Sequence, residues 1–106
     1  MLFKLFPTAR IHPTQVTENG VPVPNESEKP LQEALRDVFR LDFYRGYIEG
    51  VCQAVAEDGV NLTGYYAWSL MDNFEWLDGY RPRFGITYVS TLTNMCITHA
   101  SMVTNL

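Results

Sequence analysis

Basic residues are in the minority in this sequence, and that excludes several classes of function. Eight Lys and Arg face twelve Asp and Glu, a net charge of −4. No basic stripe is available for a phosphate backbone and no polybasic patch for an anionic lipid surface, so neither nucleic acid nor membrane is expected as a partner. Apolar runs are short as well. None reaches the ~20 residues of a membrane-crossing helix, and the apolar opening from Met1 to Phe6 meets Pro7 before a secretory core of about 7–15 residues is complete. Cysteine is scarce: Cys52 and Cys96 lie far apart, outside any CxxC or Cys/His cluster, so the pattern implies neither a disulfide nor a metal site. His12 and His99 have no carboxylate partner in their neighbourhood and are read as solvated or incidental rather than as bases or ligands. Charge is missing altogether from Ser90 to Leu106, in contrast to the body of the chain.

What is present is hydrophobic and aromatic, at 46% and 13% of the residues, which suits a globular chain of one domain at most. Its most distinctive stretch runs from Gly64 to Trp76. Tyr65, Tyr66 and Trp68 favour a buried strand, and Asp72 and Asn73 break it. A loop that still carries Phe74 and Trp76 must place those rings against something other than water. A sugar face is one candidate, since pyranose C–H groups lie flat on indole while hydroxyls need a charged acceptor such as Glu75. A packed aromatic corner with an exposed Glu75 is the other.

Upstream, Val16 and Thr17 read as a strand ending in Glu18, with a left-handed turn expected at Asn19-Gly20. Val21 to Pro30, with three prolines, reads as an irregular surface loop. Leu41, Tyr44, Ile48, Val51 and Val55 recur at three- and four-residue steps, predicting a helix from Asp37 as N-cap to about Glu57, with Gly59 at its C-terminal cap. Gly46 and Gly50 weaken that helix by up to about 1 kcal/mol each, so it should depend on docking. Phe84 to Val89 alternates as a short strand does, and Arg81 and Arg83 either pair with Glu75 or solvate the loop. Strand, helix, strand is a βαβ unit, whose two strands should be parallel and should bring Glu18 and Trp68 to one edge.

Thr-Glu-Asn-Gly at Thr17 to Gly20, a helix, Glu57-Asp58-Gly59-Val60-Asn61, then Gly-Tyr-x-x-Trp-Ser-Leu-x-Asp-Asn-Phe-Glu-Trp from Gly64, then Arg83-Phe84-Gly85-Ile86 together resemble the last quarter of a family 1 β-glycosidase. The resemblance covers about residues 16–89. It implies an α/β fold, the C-terminal portion of a (β/α)8 TIM barrel comprising its last two βα units. The divergent ends, 1–15 and 90–106, suggest a chain cut from a longer parent, through altered splicing or an imperfect gene boundary.

The resemblance also implies roles. Glu18 matches the nucleophile of a retaining β-glucosidase. Trp68 and Trp76 match residues that stack on and hydrogen-bond the sugar, Glu75 the residue that holds its hydroxyls, and Phe84 an aromatic position lining the site. Phe74 and Tyr66 are read as packing. The family's acid/base glutamate sits in an Asn-Glu-Pro motif on an earlier strand; Asn25-Glu26 is followed by serine here and does not match it. The implied substrate is a β-glycoside or oligosaccharide, with no metal and no organic cofactor, and the remainder of the barrel is needed as partner. On this basis the chain is a glycoside hydrolase fragment, inactive alone. The rival readings are a non-catalytic sugar-binding product and a truncated product without function.

Overall fold

The computed structural model describes residues 11–90 and 96–98. The readings made of the first ten residues, and of His99, lie outside that range. Two strands, β1 (Thr14–Asn19) and β2 (Leu62–Ala67), are joined through a short helix α1 (Leu31–Ala34) and a long helix α2 (Val38–Asp58). β1 and β2 pair in parallel, with Val16 opposite Tyr65 and Asn19 opposite Ala67, as a βαβ unit requires. β3 (Thr87–Val89) pairs antiparallel with β4 (Cys96–Thr98). That last strand falls in the uncharged tail, where the sequence shows no strand pattern.

Helix α2 starts and stops where its caps require. The Asp37 side chain accepts from the Arg40 N–H at 3.0 Å, satisfying one of the free donors of the first turn. Gly59 ends the helix with φ 65°, a left-handed conformation that only glycine adopts cheaply. The helix docks mainly through its first half, with Ala54 in the second half also buried. Leu41 and Tyr44 form the core cluster, with Phe43, Tyr65 and Ile86 packed on it. The expected five-residue stripe is therefore covered at one end only, since Ile48 and Val55 remain 39% and 44% exposed.

Two local expectations are corrected. The Asn19-Gly20 pair does not make a left-handed turn, because neither residue has positive φ. Gly20 is needed for a close approach instead: a Cβ there would lie 1.5 Å from the carbonyl oxygen of Trp68. The loop after it is not wholly irregular or solvated either. Glu26–Glu28 form a 3-10 turn entered through Asn25 in the left-handed region, and Glu26 is buried at 3% exposure.

Beyond β2 the chain continues beside the segment leading into β3. Ser69 N–H donates to the Phe84 carbonyl, Ile86 N–H to Ser69, and Thr87 N–H to Leu70. Residues 84–86 thus run as irregular backbone tied to the β2 extension, and the regular strand is limited to Thr87–Val89.

Candidate active site

The ends of the two parallel strands are bonded to each other. Trp68 N–H donates to the Asn19 carbonyl at 2.7 Å, so Glu18, one residue earlier on β1, and Trp68 lie at the same edge of the sheet. The Glu18 side chain is exposed there. The Trp68 peptide is held from two sides: Gly20 abuts its carbonyl, and the Tyr44 hydroxyl, reaching from α2, donates to that carbonyl at 3.0 Å. Burial pushes the Tyr44 phenol up to about 12, which keeps it a neutral donor. The peptide joining Trp68 to Ser69 is cis, and the Trp68 indole remains 38% exposed. Tyr65 secures the neighbour of Glu18 by donating its hydroxyl to Asn19 Oδ1 at 2.5 Å. Its phenol is likewise raised, by burial first and by Tyr47 second.

Glu75 is oriented through side chains of its own segment. Asn73 Nδ2 donates to Glu75 Oε1 at 2.6 Å, and Ser69 Oγ lies 3.1 Å from Asn73 Oδ1 while donating to the Met71 carbonyl at 2.7 Å. The Glu75 N–H closes a turn onto the Gly79 carbonyl at 2.7 Å. Within that turn Trp76 adopts φ 49° and leaves 82% of its surface in solvent. Among the described residues, no packing explains a non-glycine residue in the left-handed region with its ring so exposed. Phe84 is half-buried, with its backbone bonded to Ser69. Trp68, Glu75 and Phe84 are thus gathered through one residue, Ser69.

The arginines behave differently from expectation. Arg83 neither pairs with Glu75 nor solvates the loop: it is 7% exposed, donates to Asp72 Oδ2 at 2.7 Å and lies over the Tyr88 ring at 4.1 Å. Asp72, read as a strand breaker, is the acceptor that organises the segment, taking the N–H groups of Gly85 and Val89 at 3.0 Å each. Arg81 does stay in solvent, in an exposed pair with Asp78. Phe74 and Tyr66, read as packing residues, are 56% and 55% exposed; Phe74 meets the Tyr80 ring edge-on at 5.7 Å.

The side chain most thoroughly removed from water is Arg40, with 0% exposure. It binds Glu26 through Nη2 at 2.7 Å, Asp37 through Nε and the Arg83 carbonyl through Nη1. Burial pushes the Glu26 carboxyl up against the opposing pull of Arg40. Glu26 is consequently enclosed, with both carboxylate oxygens engaged by Arg40. Asp37-x-x-Arg40 is a helical i, i+3 pair that the sequence could have flagged, whereas Glu26 comes from a separate loop. Among the described residues no group of three or more His, Cys, Asp and Glu could hold a metal ion, and no helix is long and apolar enough to cross a membrane.

Comparison with known proteins identifies the family and its fold. The family model described as glycosyl hydrolase family 1 matches residues 5–102. "Beta-glucosidase 1B" of Phanerodontia chrysosporium is 56% identical over 77 residues, covering 73% of this chain and 14% of that protein. "Beta-glucosidase 30" of Arabidopsis thaliana is 42% identical over 83 residues, again 14% of its length. Among solved structures, β-glucosidase 2 of Trichoderma reesei superposes with a TM-score of 0.80 at 49% identity, covering 84% of this chain and 19% of the other. A rice β-glucosidase gives 0.84 at 32% identity, covering 96% and 21%. The chain therefore spans about a seventh of the length of the curated relatives it matches, at 14%.

Proposed function

This chain belongs to glycosyl hydrolase family 1 and to its TIM-barrel fold, and from that premise we propose that it supplies the last two βα units of a retaining β-glucosidase-type barrel. The part that carries the motifs is about residues 16–89. Glu18 is the nucleophile, Trp68, Glu75, Trp76 and Phe84 contact the glycone, and the general acid/base belongs to the part of the barrel outside this chain. The observation that carries the reading is the bond from Trp68 N–H to the Asn19 carbonyl at 2.7 Å, which ties the strand end bearing Glu18 to the segment bearing Trp68, Glu75 and Trp76, with Phe84 bonded to that segment at Ser69.

The chemistry follows from two carboxyl groups about 5–5.5 Å apart. The Glu18 carboxylate attacks the anomeric carbon and forms a glycosyl ester as the bond to the departing oxygen breaks. A carboxylic acid on the opposite side protonates that oxygen and then, as its conjugate base, activates the water that hydrolyses the ester. Glu75, oriented by Asn73, accepts hydrogen bonds from the sugar hydroxyls, and the exposed faces of Trp68 and Trp76 receive its C–H surface. The chain provides the attacking group and the glycone floor; an alkyl glycoside, whose alkoxide cannot leave unprotonated, stays intact on it. The substrate class is a β-glucoside or related β-glycoside, in keeping with the β-glucosidases to which the chain is similar.

The test is a hybrid barrel in which this chain replaces the matching segment of the Phanerodontia chrysosporium β-glucosidase. The hybrid is expected to hydrolyse an alkyl β-glucoside, the Glu18→Gln hybrid to lose that turnover, and this chain alone to show none. Turnover by the isolated chain would mean that it contains its own acid, and an inactive unsubstituted hybrid would overturn the assignment.

A further inference from the structure

The cluster around Arg40 lies apart from the proposed substrate contacts, yet hydrogen bonds and the intervening backbone join it to the segment that bears them. Arg40 donates from Nη2 to both carboxylate oxygens of Glu26 at 2.7 Å, from Nε to Asp37, and from Nη1 to the Arg83 carbonyl. Arg83 returns its own side chain to Asp72 at 2.7 Å and to the Val89 carbonyl at 3.0 Å. The next residue, Phe84, accepts from Ser69 N–H at 3.0 Å, and the segment that continues from Ser69 carries Asn73, whose Nδ2 donates to Glu75 at 2.6 Å. The path starts in the loop after β1, passes under the first turn of α2 and ends on the proposed glycone segment.

Stability alone is a weak reason for this arrangement, because the desolvation of a buried ion cluster commonly cancels its Coulombic gain. Direction is a better one. A planar guanidinium enclosed by two carboxylates has both Nη1 N–H bonds fixed in direction, one of them along the line to a single acceptor. Here that line meets the carbonyl beside Phe84, one of the proposed glycone contacts and the backbone partner of Ser69. We propose that Glu26 and Arg40 are positioning residues of the glycone subsite: Glu26 fixes the guanidinium, and Arg40 fixes the Arg83–Phe84 backbone against Ser69, so that Phe84 and Glu75 are held in register for the sugar. The inference rests on the function proposed above and extends it to residues that never meet the substrate.

The experiment uses the hybrid barrel, with kinetics normalised to functional enzyme by titration with a dinitrophenyl 2-deoxy-2-fluoroglucoside. Glu26→Gln keeps the shape but presents an NH2 group to the guanidinium in place of one oxygen, which frees Arg40 to turn from the Arg83 carbonyl. The expected result is a rise of about tenfold in KM for an aryl β-glucoside, with kcat altered by less than about threefold, the signature of lost ground-state binding. Arg40→Lys retains the charge, but one nitrogen cannot span Glu26, Asp37 and the Arg83 carbonyl, so the same rise is expected. Glu26→Asp, still anionic, should recover part of the loss. A lower titrated fraction with wild-type KM and kcat would show a merely structural cluster and overturn the positioning role while leaving the assignment of Glu18 intact. No turnover in the unsubstituted hybrid would overturn the functional reading and this inference with it.

Discussion

The two ends of helix α2 carry the same apolar periodicity but have different surroundings. At the first turns Arg40, Leu41 and Tyr44 are buried at 0%, 6% and 4% exposure, bonded or packed onto the segments that hold the proposed site. Further along, Tyr47, Ile48 and Val55 are 51%, 39% and 44% exposed. An open apolar groove of about 730 Å³ lies between the helix and the strands, lined by Val16, Phe43, Tyr47, Val51 and Tyr65 among others. A helix face keeps apolar residues in register over several turns only where something covers them. The comparison teaches that the described residues complete the interactions at the site-bearing end of the helix and leave much of the same stripe uncovered. We assign its cover to the remainder of the barrel.

The most severe way to break the comparison is to remove the cover. A TIM barrel of this kind uses about 250 residues and closes its sheet so that no edge is left. The isolated chain is therefore expected to show no cooperative thermal transition by circular dichroism and to bind a hydrophobic dye, whereas the hybrid barrel melts sharply. A sharp, concentration-independent transition of the chain alone would show that its open end needs no partner.

The bonded end is probed next by Gly20→Ala in the hybrid. The added methyl would meet the Trp68 carbonyl at 1.5 Å, and backbone cannot yield as a side chain can. A loss of about 3 kcal/mol in denaturant unfolding is expected, at the upper end of overpacking costs. A cost near zero would mean that the two strand ends are not held together as described.

Tyr44→Phe is milder, removing one hydrogen bond to the Trp68 carbonyl at a cost of about 1 kcal/mol. Its pH dependence is more telling. The folded state raises the Tyr44 phenol from 10.0 to about 12, so the contribution of its neutral form is complete below pH 10 and is lost as pH rises towards about 12. The Phe variant should therefore show a flatter stability profile across that alkaline window than the parent hybrid. An identical slope in both would remove Tyr44 as its source. The smallest effect belongs to Arg81→Ala, whose partner Asp78 is also exposed. Unfolding free energy should stay within about 0.5 kcal/mol of the parent.

These variants also mark how far the sequence can be read. Asp37, Gly59 and the strand–helix–strand order were legible because caps and periodicity are local: a side chain within three residues, or one backbone angle, decides them. Motif resemblance singles out Glu18 and the Gly64–Trp76 stretch, and the parallel pairing puts their strand ends side by side. What stayed hidden is long-range and polar. Nothing in Val21–Pro30 announces that Glu26 will leave water for Arg40, fourteen residues away. Asp72 looks like a turn residue until the N–H groups of Gly85 and Val89 converge on it. Gly20 was read for its conformational freedom, whereas its lack of a side chain is what the fold uses. Arg83 was read as a loop cation because burial of an arginine depends on acceptors that other segments bring.

The central claim is the division of labour between Glu18 and Glu75, and the location of a covalent label tests it most directly. A dinitrophenyl 2-deoxy-2-fluoroglucoside carries a leaving group that departs without a proton, so the attacking carboxylate can be trapped as its glycosyl ester. In the hybrid barrel, mass spectrometry of the digested adduct should place the sugar on the peptide containing Glu18, with no label in the Glu18→Gln hybrid. A label on Glu75 instead would contradict the account and exchange the roles of nucleophile and glycone holder.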